Sequence, residues 1–239
     1  MILAAGRGER LRPLTDTCPK PLQRVGGKPL IEWQIENLKR AGFDELVVNG
    51  AWLADQLEDY LGDGSAWGVT LHWSRESVAL GTAGGVIQAL QWLTDPVFVV
   101  VSADIFTDFD YARLKTVRDA WLHSKEEDVS RVRAHVVLVE DPRYPQDFSL
   151  DTQGWLRLPQ GRAGTYGNMG VFRRDFFASQ DEGKALELGT LLRQAVSRQQ
   201  IRGEWADCRW INVGTVEDLH RAQGGGKTGE KYHGNLDAT

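Results

Sequence analysis

Six basic side chains, Arg7, Arg10, Arg12, Lys20, Arg24 and Lys28, crowd the first thirty residues, behind a short apolar run from Met1 to Ala5 and a turn carrying Gly6 and Gly8. Only Glu9 and Asp16 oppose them, so the segment is net +4 on a chain of net charge −5. A cationic glycine loop on an acidic chain is a local device. Glycines let the backbone approach a ligand and turn N–H groups onto an anion. Guanidinium and ammonium groups supply charge for phosphate oxygens. The pattern predicts a polyphosphate cradle at the carboxyl end of a first strand.

Two familiar phosphate loops do not fit. No Lys-Ser/Thr pair follows Gly8 where a P-loop needs it, and Leu11 stands where a dinucleotide fingerprint needs its third glycine. Pro13, Pro19 and Pro21 exclude the long helix that both motifs require, which leaves an extended loop wrapped over the ligand. Gly-Lys-Thr at 226–228 has no strand before it and no helix after it, and is discounted. The other chemistry-bearing residue is Asp104, just beyond the aliphatic run Val97 to Val101. A carboxylate at a strand end can ligate a hard cation, though a lone Asp there is as readily a turn former.

The elements that must position these residues alternate. Ile31, Ile35 and Leu38 predict a helix stopped by Gly42; Leu46 to Val48 a strand; Leu53, Leu57, Tyr60 and Leu61 a helix; Val69, Leu71 and Trp73 a strand. Gly81 to Gly85 introduce a helix from about Gly85 to Leu93, capped by Thr82 or a neighbour, and Val97 to Val101 reads as a central parallel strand. Such alternation predicts an α/β fold: a Rossmann-like, doubly wound, mostly parallel mixed sheet with helices on both faces, whose ligands sit beyond the carboxyl ends of the strands. Further on come a helix over 111–124, a solvated loop over 125–132, a strand over 133–140, a hairpin around Gly154, a strand over 168–172, a helix over 188–198, short strands over 203–212, and a last helix opened by a Thr215-x-x-Asp218 capping box. One domain is expected over residues 1–222, in two halves, 1–110 and 111–222. A disordered, glycine-rich tail is expected over 223–239.

Composition excludes several classes. The acidic balance argues against nucleic-acid partners, and no apolar run reaches membrane-spanning length, so a cytoplasmic location is expected. Cys18 and Cys208 make no metal spacing, and the nine tryptophans are scattered, as packing residues are.

Leu3-Ala4-Ala5-Gly6-Arg7-Gly8-Glu9-Arg10-Leu11-Arg12-Pro13-Leu14-Thr15, followed by Pro19-Lys20-Pro21-Leu22, resembles the signature of the sugar-1-phosphate nucleotidyltransferases. The likeness continues through Asn49 to Leu53, Leu61 to Ser65, Thr82 to Gly85 and Val213 to Thr215. It implies attack of a sugar 1-phosphate on the α-phosphorus of a nucleoside triphosphate, with pyrophosphate leaving, in a fold whose half 1–110 mainly binds the nucleotide and whose half 111–222 mainly binds the sugar, with a small sugar-binding β lobe. Arg10 would hold the leaving phosphates and Lys20 the α-phosphate and incoming sugar phosphate. Leu3, Ala4, Ala5, Gly6, Gly8, Glu9, Thr82 and Gly84 would bind the nucleotide, and Ser102, Glu140, Asp141, Asn168 and Gly170 the sugar. Asp104 would ligate Mg²⁺ together with Asn212, which stands where relatives often carry a second aspartate. The neutral amide should hold metal more weakly, or leave it to Asp104 and triphosphate. Ala51-Trp52-Leu53 and the compact length are most similar to the branch that uses UTP and N-acetylmuramate 1-phosphate in cell-wall sugar recycling. Thymidylyl transfer to glucose 1-phosphate, guanylyl transfer to mannose or heptose 1-phosphate, and a non-catalytic sugar-nucleotide sensor remain alternatives, as a monomer or small homo-oligomer.

Overall fold

The apolar run that stops short of Asp104 forms the centre of the protein. The computed structural model describes residues 1–124 and 131–224. In chain order the first half comprises β1 (Ile2–Leu3), α1 (Leu14–Thr17), β2 (Arg24–Val25), β3 (Lys28–Pro29), α2 (Leu30–Arg40), β4 (Glu45–Gly50), α3 (Ala54–Leu61), β5 (Thr70–Arg75), α4 (Gly81–Ala89), β6 (Val97–Ser102), β7 (Ile105–Thr107) and α5 (Ala112–His123). There follow β8 (Ala134–Val139), β9 (Phe148–Leu150), β10 (Leu156–Arg157), β11 (Ala163–Arg173), α6 (Leu188–Val196), β12 (Ile201–Ala206), β13 (Trp210–Asn212) and α7 (Val216–Gly224).

β5, β4, β1 and β6 lie side by side and parallel. β11 then runs antiparallel to β6, β8 antiparallel to β11, and β12 parallel to β8. The period of two along β6 sorts its side chains between two cores. Val97, Val99 and Val101 face α2, α3 and α5 through Ile31, Ile35, Leu38, Leu57 and Leu114. Phe98 and Val100 face α4 and α6 through Val86, Ile87, Leu188 and Leu192. Being covered on both sides, β6 has no polar residue before Ser102.

A third core decides the site. β7 and β13 pair as an antiparallel ribbon, and α7 packs on it through Leu219 and Ala222. Leu11, Val25 and Leu30 from the basic N-terminal segment join Phe106, Ile211 and Val213 in this cluster. The end of the chain thereby holds its beginning. The predicted capping box forms: Thr215 Oγ1 accepts from Asp218 N (3.1 Å), and Asp218 Oδ2 accepts from Thr215 N (3.0 Å).

Some local expectations change. The basic loop is not extended; after Gly8 it winds through single helical turns at Glu9–Leu11, Leu14–Thr17 and Lys20–Leu22. Each proline permits one turn and prevents its extension. α4 begins at Gly81, a turn earlier than its composition suggests, so Thr82 lies inside the helix and Leu80 is its cap. The strand expected over 168–172 begins at Ala163, and α7 continues to Gly224, two residues into the expected tail. Within 125–132 the expected loop lies outside the described residues as far as 130, as does the tail from 225. No helix among the described residues is long and apolar enough to cross a membrane.

Candidate active site

β1 ends between β4 and β6, so Leu3, Ala4 and Ala5 emerge at the carboxyl edge of the parallel strands. Ala103 N donates to Leu3 O at 2.9 Å, and Leu3 pairs with Ser102. Ala4 N donates to Asn49 Oδ1 (2.7 Å), Asn49 Nδ2 donates to Glu76 Oε1 (2.6 Å), and Leu80 N donates to Glu76 Oε2 (2.8 Å). Asn49 and Glu76 are both buried, and each stands at or just past the end of its strand. This relay fixes the first turn of the basic loop to the segment that opens α4. Asn49 and Glu76 were not singled out from sequence as site residues; the signal was a polar residue closing each parallel strand.

The loop contains three arginines within six residues, and the structure separates them. Arg7 Nε meets Glu9 Oε1 (2.8 Å) and Arg7 Nη2 meets Asp16 Oδ1 (3.2 Å). Arg12 Nε meets the same Asp16 oxygen at 2.9 Å. Among the described residues Arg10 has no carboxylate within ion-pair distance. It is exposed and lies against the turn after β13, where a side-chain carbon on Gly214 would come within 2.8 Å of its Nη2. A side chain at 214 would have to displace the end of Arg10.

Lys20 Nζ forms an ion pair with Asp104 Oδ2, with side-chain exposures of 13% and 24%. The turn from Pro19 to Leu22 aims the lysine inward, and β6 delivers the aspartate. Asp104 is also tied to the end of the ribbon, where Val213 N donates to Asp104 O at 2.9 Å and Asn212 pairs with Ile105. Asn212 Oδ1 is buried with no hydrogen-bond partner among the described residues. A buried acceptor without a donor is costly, and a hard cation would satisfy it. No group of three or more His, Cys, Asp or Glu that could hold a metal occurs among the described residues. The Asp104–Asn212 pair is thus no all-protein cage; it fits an ion that keeps several oxygens from water and phosphate, as Mg²⁺ does.

Thr82 and Gly84 have evident partners in the protein. Thr82 Oγ1 donates to Glu187 Oε2 (2.8 Å) and accepts from Leu188 N (2.7 Å), joining α4 to the start of α6. A side-chain carbon at Gly84 would lie 2.6 Å from Lys184 O, so this glycine admits the 184–186 segment.

On the other side of the cleft, β11 shifts register between Tyr166 and Gly170, and Asn168 in this bulge is left-handed at φ 56°. A bulge with a non-glycine residue at positive φ re-aims a side chain at a cost, and such places concentrate at functional sites. Trp210 Nε1 donates to Gly167 O at 2.9 Å, which links the bulge to the strand that carries Asn212. Tyr144 OH donates to Asn212 O, also at 2.9 Å. Glu140 and Asp141 both have arginine partners. Arg162 Nε and Nη2 reach the two Glu140 oxygens at 2.7 and 2.8 Å and hold its carboxyl below the usual range. Burial alone would raise the Asp141 carboxyl, but hydrogen bonds from the Arg143 side chain and backbone outweigh it and lower it. Gly170 lies in the paired part of β11, where a side-chain carbon would come within 2.8 Å of His135 O. Lys20 and Asp104 therefore meet as an ion pair, the β7–β13 ribbon ties the Asn212 backbone to them, and Arg10 lies against Gly214 just beyond. Asn168 is joined to this strand through Trp210, and Gly170 and the Thr82 hydroxyl serve contacts within the protein.

This doubly wound sheet, with a phosphate-type loop over one strand end and a carboxylate at the next, is that of a nucleotide-activating transferase. Residues 1–144 match the nucleotidyl transferase family, and the chain belongs to it. It is a sugar-1-phosphate nucleotidyltransferase, 44% identical over 229 residues to N-acetylmuramate alpha-1-phosphate uridylyltransferase of Neisseria meningitidis serogroup B, a match spanning 93% of this chain and 96% of that protein. It is 26% identical to mannose-1-phosphate guanylyltransferase of Mycobacterium tuberculosis, over 92% of this chain and 62% of that one. Among solved structures the fold is shared with a UDP-glucose pyrophosphorylase complexed with UDP-glucose, at TM-score 0.75, 16% identity and coverage of 93% and 95%. It is shared also with HddC from Yersinia pseudotuberculosis complexed with GMP-PN, at TM-score 0.72, 21% identity and coverage of 93% and 96%.

Proposed function

We propose that the chain transfers a uridylyl group from UTP to N-acetylmuramate 1-phosphate and releases pyrophosphate. The observation that supports the reading is the Lys20–Asp104 ion pair, with the unpartnered Asn212 oxygen on the adjoining strand and an arginine that has no acidic partner among the described residues. The likeness to the Neisseria protein over nearly the whole of both chains supports the choice of substrates.

Two anions must approach each other, so positioning and charge neutralisation do most of the work. Arg10 holds the departing β- and γ-phosphates, and Gly8 and Glu9 add backbone N–H groups. Lys20 binds the α-phosphate and the incoming sugar phosphate and keeps them in line. Asp104 and Asn212 would hold Mg²⁺, which when bound would supply positive charge to the phosphate oxygens. Leu3 to Gly6 present backbone atoms to the base. Residues 1–110 supply most of the nucleotide contacts, and residues 111–222, with Ser102 from the first half, supply those to the sugar through Asn168 and the 140–141 corner. The reaction draws on the nucleotide pool of the cytoplasm and needs no membrane or nucleic acid.

Pyrophosphate release measured over a panel of UTP, dTTP and GTP against N-acetylmuramate, N-acetylglucosamine, glucose and mannose 1-phosphates tests the reading. The UTP and N-acetylmuramate pair is expected to exceed every other by at least about tenfold in kcat/KM. A faster pair of another kind would reassign the substrates. Binding without turnover of any pair would make the protein a sensor.

A further inference from the structure

Trp52 touches the basic loop at two separate points. Arg7 Cζ lies 3.7 Å from the centroid of its ring, and its Nε1 donates to Thr15 O at 2.9 Å. From there the contacts run into the loop. Thr15 Oγ1 donates to Gly8 O (2.9 Å), and Gly8 is left-handed at φ 72°. A side-chain carbon on Gly8 would lie 3.0 Å from the Thr15 methyl and 3.2 Å from Lys20 Cβ. The turn that carries Arg10 starts at the next residue.

The backbone of Trp52 is itself held for this purpose. Leu53, next in the chain and the cap of α3, is left-handed at φ 51°. A branched aliphatic residue pays for that conformation, so the surrounding structure must over-determine it. The bend occurs between the end of β4 and the start of α3, on the chain that also carries Asn49. Arg7 meanwhile is paired with Glu9 and Asp16 and lies over the indole, so its charge is already engaged within the loop.

We infer that Trp52 is a positioning residue that holds the Gly8–Thr15 turn, and through it Arg10 and Lys20, in the conformation that receives the triphosphate, with Arg7 as the part of the loop it grips. This rests on the reading that the loop carries the nucleotide. The indole acts through the loop and touches no reacting atom. It plays two parts: the ring face fixes the guanidinium and the N–H fixes the Thr15 carbonyl.

Three variants of the full chain, Trp52→Leu, Trp52→Phe and Arg7→Met, separate these parts. Trp52→Leu loses both contacts and is expected to lower kcat/KM about tenfold to a hundredfold, chiefly through the UTP KM and kcat, with the KM for the sugar phosphate unchanged. Trypsin should then cut after Arg10 several times faster than in wild type at the same melting temperature, and UTP should protect less well. Trp52→Phe keeps a ring over Arg7 and should recover a large part of both properties. Arg7→Met removes the gripped cation while leaving the core alone, and should raise the UTP KM in the same direction. The inference is overturned if Trp52→Leu keeps wild-type kinetics and cleavage. It is also overturned if its losses track a fall in melting temperature while Arg7→Met behaves as wild type. A wild-type protein with no turnover for any pair would sink the functional reading alone, because loop cleavage still reports on the grip.

Discussion

Lys20 and Asp104, 84 residues apart, are joined as an ion pair at the point where the basic loop meets the end of β6. Each is the residue on which a different charge should rest during the reaction, phosphate on the lysine and metal on the aspartate. In the protein without ligands they neutralise one another, so neither is left as a half-buried charge without a partner. On the proposed function, binding of a metal–nucleotide complex would exchange this pair for one between lysine and phosphate and one between aspartate and metal.

That exchange predicts opposite effects for Lys20→Met. Turnover should fall by about 10²–10³, as when a preorganised charge at the transferring group is lost. Metal binding without nucleotide should become tighter, since Asp104 no longer has a resident cation. Titration with Mn²⁺ followed by electron paramagnetic resonance reads the second effect directly; weaker binding in the variant would show that the lysine does not compete.

Asn212 should set how firmly the ion is held. Asn212→Asp places a second carboxylate beside Asp104 and is expected to tighten Mn²⁺ binding about tenfold, the equivalent of ~1.4 kcal/mol. Asn212→Leu removes the unpartnered oxygen and should weaken it. Equal metal affinity in all three proteins, measured by calorimetry, would place the ion elsewhere.

Thr82 offers a test of whether its hydroxyl serves the fold. Both its hydrogen bonds go to the 187–188 segment, so Thr82→Val should cost about 1–2 kcal/mol in urea unfolding with little change in the KM for UTP. A raised KM with unchanged stability would return the hydroxyl to the nucleotide.

Asp141 predicts an acid limit. Its folded carboxyl is lowered against a usual value of 3.8, because the Arg143 contacts outweigh the raising effect of burial. A depressed folded value means that the stability it contributes is complete above the unfolded value and is lost as pH falls through the folded one. Asp141→Asn should therefore be less stable than wild type at neutral pH, and the gap should narrow as pH falls below about 3.8 and close once the lower folded value is passed, as followed by circular dichroism. A gap that persisted unchanged at lower pH would assign the loss to packing.

Much of the fold was readable because its signals are short-range. Ile31, Ile35 and Leu38 mark one face of a helix, and Val97 to Val101 can only be a strand covered on both sides. The composition of Gly81 to Gly85 suggests a turn, yet α4 starts there. Gly84 and Gly85 stay in the helix because the neighbours leave no room for a side chain: Lys184 O at Gly84, and Asn49 Nδ2, 2.5 Å from where a carbon on Gly85 would lie. Tertiary crowding there overrides intrinsic preference.

The nine tryptophans were legible as packing residues but not as individuals. Trp33 and Trp73 donate to carbonyls 8 and 11 residues away, whereas Trp52 and Trp210 reach carbonyls remote in the chain, Thr15 O and Gly167 O. Nothing in residue type or spacing distinguishes them, because the partner carbonyls lie 37 and 43 residues away.

The sequence by itself determined the kinds of residue available: a glycine turn crowded with arginines, an aspartate closing an aliphatic strand, and an amide where a second acid could stand. Those follow from local chemistry, which needs no partner to be read. Only the tertiary structure decided which arginine stays uncommitted, because Glu9 and Asp16 engage Arg7 and Arg12 by geometry that spacing leaves open. It also decided that Asn212 lies beside Asp104, since a ribbon between β7 and β13 joins parts of the chain more than a hundred residues apart. Contacts at that separation are chosen by the packing of whole elements, and no short stretch of chain encodes them alone.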